Sequence, residues 1–231
     1  MAAAEDRVSE EITAAGGLVV SDSAPASEVG VAVLRQGGNA VDAAVATALA
    51  LAVTLPEAGN VGGGGFMLVW PGDGREAVCF DYRETAPAKA TPTMFSLDET
   101  QWGHRVIGVP GTLRGLELAH RRFGKLPWKT LIEPVVRLAD DGFVIGPRLA
   151  HALNELLAES ADFAELRRVF AKSDGSPWKA EDRLTQLDLA RTLRLIADEG
   201  PSAFYEGAIA DQIVAEMETG GGLITHADLA G

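Results

Sequence analysis

The chain has 231 residues, enough to bury a sizeable core in one large domain or two small ones. Hydrophobic residues make up 47% and charged residues 23%, the balance of an ordinary globular protein. The formal net charge is −13 and no basic block offsets it, which argues against nonspecific binding to nucleic acid or to an anionic membrane surface.

At the N-terminus, Met1-Ala2-Ala3-Ala4-Glu5-Asp6-Arg7 lacks a basic region followed by an apolar core, so no signal peptide is visible and the compartment stays open. Residues 1–15 are polar and expected to fray, with sheet and buried helices over 16–84 and mostly helix over 85–231. Leu18-Val19-Val20 reads as a short buried strand leaving Gly16-Gly17. A helix is predicted over 25–35, with Pro25 tolerated in its first turn and Gly37-Gly38 as its stop. Asn39 then offers an N-cap for a second helix over 40–54, ended before Pro56. That helix is apolar nearly all round and belongs inside the protein, with Asp42 in its first turn in a capping role. The run is too short and too interrupted to be a membrane-spanning segment.

Next come Gly59-Asn60-Val61-Gly62-Gly63-Gly64-Gly65, the apolar run Phe66-Met67-Leu68-Val69-Trp70, a turn at Pro71-Gly72-Asp73-Gly74, and a second run ending Asp81-Tyr82-Arg83-Glu84. Each glycine loses roughly 0.5–1 kcal/mol relative to alanine in ordered structure. Four in succession therefore mark backbone that must pass close to something. The order helix, glycines, strand, with no lysine after the glycines, is wrong for a phosphate-binding loop or a dinucleotide fingerprint. The run 66–70 is continuously apolar, as for a strand covered on both faces. In 77–83, Val78, Phe80 and Tyr82 alternate with Cys79, Asp81 and Arg83.

Beyond Glu84 the chain crosses in a loop over 85–92 and bends at Gly108-Val109-Pro110-Gly111-Thr112, with Thr112 expected to cap a helix over 113–123. Helices are predicted over 128–141, 147–160, 164–171, 186–199 and 207–218. Thr225-His226-Ala227-Asp228 has the T-x-x-D form of a helix start. So close to Gly231, that signal suggests a chain cut short.

The candidate chemistry is sparse. Cys79, the lone cysteine, allows no internal disulfide and reads as a buried inert thiol. His104, His120, His151 and His226 show no metal-ligand spacing, so no metal site is expected. Ser21-Asp22-Ser23 reads as a turn, and no G-x-S-x-G elbow is present. Arg83 is the sharper candidate, because a guanidinium binds a carboxylate through two parallel hydrogen bonds. Composition alone favours a structural ion pair with Asp81, since strand arginines are common, although Asp81 could also orient Arg83 toward a ligand. Composition and spacing alone leave an α/β chain of unknown function.

Several stretches together resemble the γ-glutamyltranspeptidase family. They are Gly37-Gly38-Asn39-Ala40-Val41-Asp42-Ala43-Ala44-Val45-Ala46, Gly59-Asn60-Val61-Gly62-Gly63-Gly64-Gly65-Phe66-Met67, Asp81-Tyr82-Arg83-Glu84-Thr85-Ala86-Pro87, Pro110-Gly111-Thr112, Asp141-Gly142-Phe143 and Gly221-Gly222-Leu223-Ile224-Thr225. They stand in the family's order and cover nearly the whole chain.

The resemblance implies an α/β (α+β) fold, part of the αββα sandwich of an N-terminal-nucleophile hydrolase. It implies a precursor that cleaves itself into a large and a small subunit, and no cofactor. The nucleophile would be the new N-terminal Thr of the small subunit, its α-amine serving as base. That Thr would attack the γ-glutamyl amide of glutathione and related compounds, and water, an amino acid or a dipeptide would take the acyl group. In the family, the Arg of the D-[FY]-R-E motif contacts the glutamyl α-carboxylate, which makes Arg83 a substrate-binding residue. No catalytic residue is expected within these 231 residues, which resemble the first part of the large subunit. Alone they are expected to be inactive and to need the small-subunit half as partner. The alternatives are an acylase of the same superfamily, such as one acting on glutaryl-cephalosporin, or a truncated noncatalytic binding protein.

Overall fold

A computed structural model describes residues 12–96 and 103–231. Helix α1 (Ala24–Arg35) begins with Pro25 in its first turn, where the missing N–H is no loss. It ends at Gln36 and Gly37, the glycine standing at φ +89°. Helix α2 (Ala40–Thr54) starts on a capping box: Asn39 Oδ1 accepts from the Val41 and Asp42 N–H groups, and the Asp42 carboxylate accepts from the Asn39 N–H. Apart from an edge at Ala40 and Ala44, this helix is largely enclosed, as its uniform apolarity requires. Buried Asp42 also accepts from the Lys125 and Leu126 N–H groups, so one carboxylate joins the start of α2 to a distant loop.

Strands β1 (Phe66–Val69) and β2 (Val78–Asp81) form an antiparallel hairpin with Phe66 opposite Asp81 and Leu68 opposite Cys79. Two left-handed glycines, Gly72 and Gly74, turn the chain between them. Helix α3 (Thr112–Phe123) and helix α4 (Trp128–Asp141) follow. Strand β3 (Phe143–Val144) pairs antiparallel with β4 (Arg183–Leu184), and between them lie α5 (Pro147–Glu159) and α6 (Ala164–Phe170). Helices α7 (Leu187–Glu199), α8 (Ser202–Tyr205), α9 (Ala208–Gly220) and α10 (His226–Ala230) complete the chain.

The core is a stack in which α1 packs on α2, α2 on α4 and α4 on α7, sealed by Leu49, Leu131, Ile132, Leu193 and Ile196. Polar links cross the stack: Gln186 Nε2 donates to the Val53 carbonyl at 2.6 Å, and Trp128 Nε1 donates to the Ile196 carbonyl at 3.1 Å. Helix α10 starts on the Thr225–Asp228 capping box that its sequence announced.

Several expectations need correcting. Leu18-Val19-Val20 forms no strand: no described segment pairs with it, and Val20 is exposed. Strand β1 is covered on one face only. Met67 and Val69 pack on the core, whereas Phe66, Leu68 and Trp70 face outward, Trp70 at 76% exposure. Cys79 shares that outward face through its pairing with Leu68, so the thiol is exposed, not buried. Thr112 is the first residue of α3 and not its cap; Gly111 holds the cap position, and the Thr112 hydroxyl donates to Asn60 Oδ1 instead. The helical second half also contains the β3–β4 pair, too short to show a two-residue alternation. Of the segment expected to fray, residues 12–15 are irregular and exposed, and 1–11 lie outside the described residues.

Candidate active site around Arg83

The glycine run sets the geometry. A Cβ at Gly59 would fall 2.1 Å from the Leu51 carbonyl oxygen, and one at Gly64 would fall 2.5 Å from the Tyr82 carbonyl oxygen and 2.9 Å from Arg83 Cα. The backbone thus slides between α2 and the end of β2 where no side chain fits. The Gly63 carbonyl accepts from both Gly111 N (2.8 Å) and Thr112 N (3.0 Å), which supplies a partner for the free donors at the start of α3. Asn60 Oδ1 accepts from Gly63 N at 3.0 Å, closing the loop on itself.

Tyr82 is the wedge that these segments enclose. Cβ atoms at Gly65, Gly111 and Gly115 would all strike its ring or its backbone. Its hydroxyl donates to the Phe66 carbonyl at 3.3 Å, and burial pushes its phenol pKa up. With Tyr82 seated inward, the alternation of an extended chain turns Arg83 outward. The Thr85–Val109 bridge then holds the next segment, with N–H···O distances of 3.3 and 2.8 Å.

Arg83 lines a cavity of about 500 Å³ whose walls include Gly62, Glu84, Met94, Arg105 and Gly108. Its side chain does not pair with Asp81, which accepts the Arg83 backbone N–H at 3.1 Å. The ion pair is with Glu84: Nε donates to Oε2 at 3.1 Å. Among the described residues, neither terminal amino group of Arg83 has a hydrogen-bond partner. The guanidinium is therefore held by its inner nitrogen and offers its two outer nitrogens, the end-on fork that grips a carboxylate. The Glu84 backbone N–H and then the Arg83 side chain hold the Glu84 carboxyl below its ordinary 4.5.

The other titratable candidates are taken up structurally. His104 bonds Glu216 at 2.7 Å, His226 bonds Asp211 at 2.9 Å, and His151 pairs with Glu155 one helical turn away. His120 Nε2 donates to the Leu126 carbonyl at 2.8 Å. Among the described residues, no three His, Cys, Asp or Glu side chains converge as a metal site would require. A larger groove, about 640 Å³, lies between residues 16–22 and α2, but its lining is mostly apolar and Asp22 is its one charged residue. Two residues of the site carry no signal in the sequence: Glu84, which holds Arg83, and Arg105, which lines the same cavity. Neither stands at a helical or strand spacing that would have drawn attention.

Residues 26–231 match the family model described as Gamma-glutamyltranspeptidase. The chain belongs to the γ-glutamyltranspeptidase family. It is 44% identical over 233 residues to the glutathione hydrolase proenzyme of Escherichia coli K12, covering 98% of this chain and 40% of that protein. The γ-glutamyltranspeptidase of Helicobacter pylori superposes with a TM-score of 0.91 at 38% identity, over 96% of this chain and 65% of that one. A cephalosporin acylase from Bacillus halodurans superposes with a TM-score of 0.77 at 30% identity, over 89% of this chain and 40% of that one. The fold is thus the helix-rich α+β portion of an N-terminal-nucleophile hydrolase. The chain spans about 40% of the length of the E. coli relative. Among the described residues, no helix is long and apolar enough to cross a membrane.

Proposed function

We propose that this chain is the glutamyl-recognition part of an enzyme that hydrolyses or transfers the γ-glutamyl group of glutathione and related amides. The γ-glutamyltranspeptidase family membership supports the reaction class. The outward fork of Arg83, held at Nε by Glu84 and open to a cavity, carries the assignment of the site. In this reading the fork takes the substrate α-carboxylate. Anchoring that group fixes the γ-carbonyl at a set distance along the glutamyl side chain, where an N-terminal Thr of the partner half attacks it. The leaving amine departs with a proton, and water or an acceptor amine then resolves the γ-glutamyl ester. The 231 residues supply binding and scaffold, and the nucleophile comes from the small-subunit half.

The test is the full-length protein with Arg83→Ala. A charge-assisted contact of about 1.5–3 kcal/mol corresponds to a loss of roughly 10- to 150-fold in kcat/KM for a γ-glutamyl anilide. Unchanged kinetics would reduce Arg83 to a structural partner of Glu84. The likeness to the cephalosporin acylase supports a second reading, an acylase for glutaryl amides. A glutaryl group keeps the carboxylate and lacks the α-amine, so a higher kcat/KM for glutaryl than for γ-glutamyl anilide would favour it.

A further inference from the structure

The cavity that Arg83 opens onto has a second cation. Arg105 sits in the 3₁₀ turn His104–Val106 and lines the same cavity as Arg83. This turn is a docked element. His104 bonds Glu216 on α9, and its ring fills the space above Gly220, where a Cβ would fall 2.2 Å from a ring nitrogen. A Cβ at Gly222 would also crowd His104, at 3.1 Å from its Cβ and 3.2 Å from its carbonyl oxygen. The glycines at the end of α9 therefore let the turn seat against that helix, which fixes where Arg105 stands.

The guanidinium itself is steadied by apolar and neutral groups. Nη2 donates to the Met94 carbonyl at 3.1 Å, and the Phe95 ring lies beneath the cation at 5.7 Å. Among the described residues no carboxylate pairs with Arg105. Glu84, the acidic residue among the described residues that line the cavity, is already engaged by Arg83. In a protein of net charge −13, the described residues lining this cavity thus supply two guanidinium groups and one carboxylate.

We infer that Arg105 is a specificity-determining residue that binds a second carboxylate, the one borne by the leaving group of a γ-glutamyl peptide, while Arg83 holds the first. This deepens the proposed function and rests on it. A γ-glutamyl peptide with a free C-terminus carries an anion at each end, with the scissile amide between them. Two cations supplied to one cavity by separate segments match that distribution, whereas an anilide satisfies only one of them. An acceptor dipeptide enters along the path the leaving group takes out, so its carboxylate would meet the same residue.

The experiment compares two substrates on the full-length enzyme: glutathione, and the same tripeptide with its glycine carboxylate converted to the amide. Wild type is expected to favour the free acid by roughly 5- to 10-fold in kcat/KM, the worth of a charge-assisted contact in a solvent-accessible cleft. Arg105→Ala should bring that ratio close to one, and Arg105→Lys should retain part of it. Raised ionic strength should shrink the wild-type ratio and leave that of Arg105→Ala unmoved. A free-acid to amide ratio that is the same in wild type and Arg105→Ala overturns the inference. Failure of the wild type to turn over any γ-glutamyl compound would instead overturn the functional reading beneath it.

Discussion

Arg83 and Glu84 are neighbours in sequence, yet they grip each other side chain to side chain, with Nε to Oε2 at 3.1 Å. Consecutive residues of a regular strand point to opposite faces. The pair can close because β2 has already ended at Asp81 and the chain is turning toward its bridge with Val109. The contact occupies the inner nitrogen of Arg83 and, among the described residues, leaves the outer two without a partner, so in the proposed function Glu84 is a positioning residue.

Glu84→Gln should therefore raise KM for γ-glutamyl substrates by about 2- to 5-fold with little change in kcat, since the pair is partly exposed and worth no more than about 1 kcal/mol. The pair also has a pH signature. Because the folded-state pKa of Glu84 lies below the ordinary 4.5, its stabilisation is complete above 4.5 and is lost as pH falls through the lowered value. Steady-state KM measured from pH 6 downward should hold level through 4.5, rise in wild type only as pH falls further, through the lowered value, and stay flatter in Glu84→Gln.

The glycine run makes a paired prediction. At Gly64 an added Cβ meets backbone of Tyr82, Arg83 and Glu84, which cannot rotate away, whereas at Gly62 nothing lies within 4 Å. Gly64→Ala should destabilise the full-length protein by about 1–3 kcal/mol or more, while Gly62→Ala should stay within about 0.5 kcal/mol. Denaturant titration separates the two. Equal effects would mean that Gly64 does not make the close approach described.

The outward face of the hairpin should govern association. Phe66, Leu68 and Trp70 form an apolar stripe, with Leu68 at 73% exposure, beside Cys79. Expressed alone, the 231-residue chain should self-associate through this stripe. Light scattering should report oligomers that Leu68→Lys with Trp70→Lys dissolves. A wild-type chain that stays monomeric at high concentration would show that the stripe is not adhesive.

Much of this architecture was legible in the residues. Asn39 followed by Asp42 announced the start of α2, and Thr225 followed by Asp228 announced α10, because capping boxes are local. The glycine run could be read as a close approach, but not what it approaches, since Leu51 and Tyr82 are brought there by tertiary packing. At Cys79 and along β1 the expectation of burial fails for a single reason. A uniformly apolar run predicts a covered strand, and nothing in its own letters says where the cover comes from. Composition marks Arg83 only weakly, and its proposed role rests on the family resemblance and on the open fork. Its true partner, Glu84, was obscured by the strand alternation that made Asp81 the obvious choice.

The most direct test of carboxylate recognition by Arg83 removes that carboxylate from the substrate. A 4-aminobutyryl anilide is a γ-glutamyl anilide without its α-carboxylate. Full-length wild type should favour the γ-glutamyl compound, and Arg83→Ala should lose roughly 10- to 150-fold of that preference, with the two compounds becoming near equivalent. An unchanged ratio between the substrates in Arg83→Ala would contradict the assignment, whatever happened to the absolute rates.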